Sequence, residues 1–223
     1  MSTGAKQAGS HDAALGVQKA RGRPVDAAKR DAIIRAATAC FFDVGYAASS
    51  IEQIAADAGV SKVTIYNQFG DKRALFAAAV EHQCERVRGH FAIAPEAGQS
   101  IRARLTAIGE AMFAFLSRPE MVQFERRIAA ETEHDPDIGR AFLEAGPWRM
   151  KAALAAFLSH AQQQGELEIP DPGLAAEQFV SMCKGIGDLE RRFGFTPGEA
   201  EHTRRITGAV EVFLRAYSRK CTD

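Results

Sequence analysis

Ser49 to Lys72 reads SSIEQIAADAGVSKVTIYNQFGDK, a pattern that predicts two short helices across a tight turn with a third beginning at its end. Ser50 followed by Gln53 is a capping box, which starts a helix at Ile51. Ile51, Ile54, Ala55 and Ala58 then fall at i, i+3, i+4 and i+7 and form one apolar stripe. Gly59 stands where a helix closes on a left-handed residue, a conformation glycine enters without steric cost. Val60 plugs the angle between the helices, and Ser61 is a good N-cap for the next one. In that second helix Ile65 and Phe69 face inward. Val63, Thr64 and Asn67 point the opposite way, flanked by Lys62 and Tyr66. An outer face of Lys, Thr, Tyr and Asn carries donors and acceptors for base edges and phosphates. A helical hairpin with a polar outer face occurs in many helical proteins. Here cap, stripe, glycine, second cap and outer face agree in register, which is the pattern of a helix-turn-helix for double-stranded DNA.

The longer run Phe41 to Phe76, FFDVGYAASSIEQIAADAGVSKVTIYNQFGDKRALF, resembles the DNA-binding domain of the TetR/AcrR family of transcriptional regulators. Members show G-[YF]-x-x-[ST]-[ST] before the helix pair, A-x-x-A-G-V-S near the turn and T-[IL]-Y-x-x-F-x-x-K after it. This chain has Gly45-Tyr46, Ser49-Ser50, Ala55, Ala58-Gly59-Val60-Ser61, Thr64-Ile65-Tyr66, Phe69 and Lys72. Asn67-Gln68 replaces the more frequent x-His. The resemblance implies an all-α protein: an N-terminal three-helix helix-turn-helix domain joined to a C-terminal helical bundle that binds ligand and dimerises. It implies a repressor released from a palindromic operator by an unknown small-molecule effector. The expected DNA contacts are Ser49, Ser50, Lys62, Val63, Thr64, Tyr66, Asn67 and Lys72, with Tyr66 and Lys72 facing phosphates.

Residues 1–25 are expected to form a disordered basic arm, since 1–20 are small, polar and without periodicity. Arg21-Gly22-Arg23-Pro24 ends it. Arg21 and Arg23 suit the negative potential of a narrow minor groove, although a solvated linker has the same composition. The DNA-binding domain is expected over 26–87. Its first helix runs from Asp26 to Val44 with Ile33, Ala37, Phe41 and Val44 as core stripe, and Gly45 ends it. Asp71 caps a fourth helix that reaches toward Phe91 and leads into the body. In the family resembled, that helix transmits the ligand signal.

The body, 88–219, begins at the loop Ala94 to Gly98. Pro and Gly breaks predict helices at Ser100–Ser117, Pro119–Glu133, Pro136–Ala145, Pro147–Gln164, Pro172–Phe193 and Pro197–Arg219. Phe124 to Tyr217 resembles the C-terminal domain of the AefR-like branch. Large apolar residues gather in the middle helices, and ordinary core packing accounts for most of them. A ligand pocket, as the resemblance implies, would draw on Met112, Phe113, Phe124, Phe142, Trp148, Phe179 and Met182, whose aromatic and thioether groups suit an adaptable apolar cavity. Glu125, Arg126 and His134 are the candidate polar anchors. Ile206, Ala209, Val210, Phe213, Leu214 and Tyr217 give the last helix an apolar stripe, and pairing the last two helices with their symmetry mates would form a homodimer.

Composition sets bounds on this reading. The chain has 223 residues, 46% of them hydrophobic, enough for a small head and a larger body with a real core. Its 28 basic and 28 acidic side chains cancel, but residues 1–73 hold ten Lys/Arg against seven Asp/Glu, a mildly basic head on a mildly acidic body. There is no run able to span a bilayer and no signal-peptide core, so a cytoplasmic, nucleoid-associated protein without membrane contact is expected. Cys40, Cys84, Cys183 and Cys221 lack metal-site spacing, and no cofactor or metal is expected. No Ser/His/Asp set, carboxylate pair or phosphate loop marks an enzyme. The competing reading is a helical small-molecule-binding protein or enzyme with a vestigial DNA-binding head.

Overall fold

The computed structural model describes residues 23–89, 98–196 and 198–219, with the side chains of 23–26, 86 and 87 left aside. Those residues form α1 (Arg23–Val44), α2 (Ile51–Ala58), α3 (Lys62–Phe69), α4 (Lys72–Arg88), α5 (Ile101–Leu116), α6 (Pro119–Glu131), α7 (Pro136–Ala145), α8 (Pro147–Gln163), α9 (Pro172–Arg192) and α10 (Glu199–Tyr217). The fold is all-α. The six body helices end within two residues of the expected boundaries; Pro stands in the first turn of α6, α7, α8 and α9, and a side chain caps α5, α7 and α9. Asp135 Oδ1 accepts from Asp137 N at 3.2 Å, and Asp171 Oδ1 from Leu174 N at 3.0 Å.

Three expectations are corrected. Helix α1 starts at Arg23, not Asp26, since Pro24 in a first turn lacks only an N–H that has no helical partner there. The side chain of Arg23 and all of Arg21 lie outside the described residues, as do Phe91, most of the expected boundary loop (94–97) and Cys221. Val44 is 42% exposed rather than core; it is the last residue of α1, and the chain turns away at Gly45 with φ 87°. The apolar stripe of α10 turns into its own subunit. Ile206, Val210, Phe213 and Leu214 are buried with Leu105 and Ile108 of α5, Leu158 of α8 and Phe179 of α9.

A second feature was unforeseen. Helix α9 is kinked at Gly185, which takes φ 49° and ψ −158°. The Arg205 side chain crosses this kink from α10, and a Cβ at Gly187 would stand 2.2 Å from its Nη1. A side chain at 187 would force the Arg205 guanidinium to move.

One of two core clusters among the described residues runs from the N-terminal helices into the body. Ile33, Phe41, Ile54, Ile65, Leu75 and Phe76 are buried in one cluster with Met121, Phe124, Ile128 and Ile138 of α6 and α7. Rings mark the crossing. Phe41 meets Phe76 edge-on at 5.3 Å, Phe76 reaches Phe124 at 6.0 Å, and Phe42 lies flat on Phe124 at 4.0 Å with 4° between planes. Polar links from α6 and the turn after it reinforce this. Arg127 Nη1 donates to the Phe42 carbonyl at 2.7 Å, and Ala47 N donates to Glu131 Oε2 at 3.1 Å. Arg73 of α4 bridges to Asp135 and Asp137 at 3.2 and 3.1 Å.

Phe124→Ala should therefore cost about 3–5 kcal/mol, and head and body should still melt together in one denaturation transition followed by circular dichroism. A variant in which the head keeps wild-type stability while the body melts earlier would show that the core is not shared.

Candidate nucleic-acid interface and body cavity

Helices α2 and α3 form the turn the sequence predicts. Ser50 Oγ accepts from Gln53 N at 3.0 Å, which starts α2. Gly59, at φ 66° and ψ 34°, closes it, and Val60 N reaches back to Ala55 O at 3.0 Å in a Schellman closure. Ser61 then caps α3: its Oγ accepts from Thr64 N at 3.2 Å. Ile65 is fully buried and fixes the rotation of α3. That rotation leaves Val63 65% and Tyr66 41% exposed, with Asn67 and Lys62 open beside them.

Ser50 is also exposed, whereas three other expected DNA residues are held within the protein. Thr64 is half-buried, and its Oγ1 pairs with Ser61 Oγ at 2.9 Å. Ser49 is buried and donates its hydroxyl to Tyr46 O at 2.7 Å. Lys72 points inward. Its Nζ donates to Ser49 O at 2.6 Å and lies 4.6 Å from the Tyr46 ring centre, and burial lowers its pKa. Ser49 and Lys72 thus brace the loop entering α2 in this structure, and their distance from the outer face is a matter of fold rather than residue type. Lys62 pairs with Glu52 across the turn; the hydrogen bond raises the pKa of the amine and lowers that of the carboxyl.

Behind this head lies a mostly apolar cavity of about 450 Å³, a size that suits a small organic molecule. Met112, Phe124, Phe142 and Trp148 line it. Phe113, Phe179 and Met182 lie elsewhere. Phe113 packs on His202 at 3.6 Å beneath Arg191, and Phe179 is fully buried against Phe213 at 5.3 Å. Met182 packs at the edge of the body core. Each sits on a neighbouring face of its helix, a difference that composition does not register.

Several lining residues come from elements read as head or connector. Phe42 of α1 and Val80, Gln83 and Cys84 of α4 form part of the wall. The paired Phe41-Phe42 is the signal that was available: adjacent helical residues of that size cannot both face one core. Among the polar candidates Glu125 lines the cavity, whereas His134 is exposed and Arg126 donates to Arg191 O at 2.6 Å. Burial raises the Glu125 carboxyl, with Lys184 and Arg192 opposing that shift. Burial pushes the Cys84 thiol up to about 11 and Cys183 up to about 12, and it also raises the half-buried Cys40. None of the three is a poised thiolate. No helix among the described residues is long and apolar enough to cross a membrane, and no group of three His, Cys, Asp or Glu among them is placed to hold a metal ion.

Known proteins share both halves of this arrangement. Residues 33–79 match the bacterial regulatory proteins of the tetR family, and residues 103–219 match the C-terminal domain of AefR-like transcriptional repressors. A TetR-family regulator from Mesorhizobium loti is 32% identical, with 87% of this chain and 98% of that one covered at a TM-score of 0.73. The flavonoid-responsive regulator FrrA is 33% identical, with 86% and 98% covered at a TM-score of 0.68. The transcriptional repressor Rv1474c of Mycobacterium tuberculosis is 29% identical over 118 residues, 53% of this chain and 58% of that protein. With the helix-turn-helix at one end, the AefR-like bundle at the other and solved relatives matched over nearly their full length, the chain belongs to the TetR family of bacterial transcriptional regulators.

Proposed function

We propose that this regulator is a repressor that binds a palindromic operator as a homodimer and leaves it when a small molecule fills the body cavity. The observation that carries this reading is the composition of the cavity wall. Phe42, Val80 and Gln83 belong to the helices that hold α2 and α3 in place, so an occupant of the cavity touches the frame of the DNA-reading unit directly. Such a protein works in the cytoplasm at the nucleoid. An enzyme with a vestigial head is not favoured, because the outward face of α3 keeps the large exposed side chains that a groove reader needs.

For DNA contact the reading assigns base edges to Val63 and Asn67, and phosphates to Tyr66 and the α2 N-terminus at Ser50. Lys62 adds a charge near the backbone once Glu52 releases it. Thr64 supports the cap and offers its methyl group. Ser49 and Lys72 set the loop. On the operator, Lys72 would have to exchange its Ser49 carbonyl partner for a phosphate. Two such heads fit half-sites spaced by about one helical turn, roughly 34 Å.

For dimerisation the supporting surface is the outer side of α9 and the segment after it. Ile186, Leu189, Phe193 and Phe195 are 60, 49, 75 and 71% exposed, with Val212 of α10 at 55% beside them. Large apolar side chains left this exposed along the last two helices and the segment between them suit burial against a second copy. For the effector, Phe115, Phe124, Phe142 and Trp148 in the wall favour flat aromatic molecules. Flavonoids, to which FrrA responds by its description, belong in the first screen.

Tyr66→Ala should weaken operator binding about tenfold while leaving the melting curve in place, and Val63→Ala should change base preference in a randomised-site selection. Unchanged affinity and unchanged preference in both variants would remove α3 from the groove.

Phe193→Asp should convert the dimer to a monomer in analytical ultracentrifugation and abolish tight binding to the two-half-site operator. A variant that stays dimeric and keeps its affinity would place the interface elsewhere.

A further inference from the structure

We propose that the effector is an amphipathic anion, whose apolar body fills the cavity and whose charged end lies in a basic groove between α1 and the start of α6. The inference rests on the cavity being the effector site. The groove has a volume of about 310 Å³ and shares the wall of Phe42 and Gln83 with the apolar cavity. Helix α1 contributes Arg35 and Thr38, α4 contributes His82, and the α5–α6 turn contributes Arg118.

Three observations identify this groove as a binding place for negative charge. Thr38 is 7% exposed, yet its Oγ1 has no hydrogen-bond partner. A buried hydroxyl without a partner is costly and rare, and a ligand atom that bonds it relieves that cost. Arg35 and His82 are exposed and form no hydrogen bond or ion pair among the described residues, so both can turn onto an anion in the groove. Arg118 is already oriented: its Nε lies 3.3 Å from Phe115 O, its Nη2 lies 3.3 Å from Gln83 Oε1, and its guanidinium sits over the Phe115 ring. Against these stands one acid, Glu120, whose carboxylate is 3.6 Å from Arg118 Nε.

The apolar cavity offers no comparable surplus. Its lysines are matched by acids, with Lys151 on Glu177 at 3.2 Å and Lys184 on Asp188 at 3.1 Å. Glu125 is matched by Arg192 at 3.5 Å. A carboxylate or phosphate placed deep in the cavity would have to break one of these pairs. Placed past Phe42, it meets arginine and a waiting hydroxyl, and guanidinium groups hold both kinds of anion well. The groove also spans α1 of the head and the first turn of α6 in the body. An anion bound there draws Arg35 and Arg118 toward one centre and so acts on the joint that sets head orientation.

The test uses two fluorophores with one skeleton, titrated into the full-length protein. N-phenyl-1-naphthylamine is neutral, and 8-anilinonaphthalene-1-sulfonate carries one negative charge. The anionic probe is expected to bind about tenfold tighter, a margin typical of one or two charge-assisted hydrogen bonds. Arg35→Gln should narrow that gap, Arg35→Gln with Arg118→Gln should close it, and Thr38→Val should narrow it. All three should leave the neutral probe unaffected, which also reports that the cavity is intact. Dodecanoate and dodecyl phosphate should displace the anionic probe better than dodecanol, and the stronger of the two identifies the anion as carboxylate or phosphate. A wild-type protein without the gap, a gap that survives in the double variant, or equal displacement by dodecanol overturns the proposal. Failure of the neutral probe to bind at all would overturn the cavity reading, and this inference with it.

Discussion

The flat contact of Phe42 on Phe124, with Phe76 and Phe142 against the same ring, ties the DNA-reading helices to the regulatory bundle. Without it the head would be a small three-helix unit with little core of its own, and units of that size are marginally stable alone. With it, the head's buried residues and those of α6 and α7 form one cluster. Interiors are close-packed and transmit displacement rather than absorb it. A change in the cavity is therefore a change in the packing that positions α1, and through α1 the turn between α2 and α3.

Helix α4 is the expected route for such a signal, and it does line the cavity. The geometry adds a second route that runs through α6. Arg127 holds the last turn of α1 by the Phe42 carbonyl, and Glu131 holds the following turn by the Ala47 amide. These two hydrogen bonds lie one helical turn apart on α6, so a rotation or shift of α6 moves the α1–α2 corner as a unit. Arg73 with Asp135 and Asp137 ties α4 to the same region of the body. The head is gripped on both sides. Its orientation is set by where α4 and α6 stand relative to each other.

Local chemistry was legible in the sequence, and azimuth was not. The serine caps, Gly59 and the buried Ile65 follow from short-range rules, because each depends on neighbours within four residues. The proline-led starts of α6, α7, α8 and α9 are legible for the same reason. Phe113, Phe179 and Met182 match Met112 in chemistry, but a rotation of one residue along a helix separates cavity from core. Lys72 has the residue type of a phosphate contact, yet the chain folds so that the Ser49 carbonyl receives its amine. The stripe on α10 was visible, and only packing told that it faces its own subunit. Arg35, Thr38 and His82 carry no motif at all; α1 and α4 bring them together with Arg118 in three dimensions.

The account stands on coupling between the cavity and the DNA-reading face, and coupling between two binding sites is reciprocal. The most direct measurement is the affinity of N-phenyl-1-naphthylamine for the protein alone and for the protein saturated with its operator duplex. The account predicts weaker probe binding in the complex, by the same factor by which the probe weakens operator binding. Equal probe affinity in the free and DNA-bound protein would contradict it.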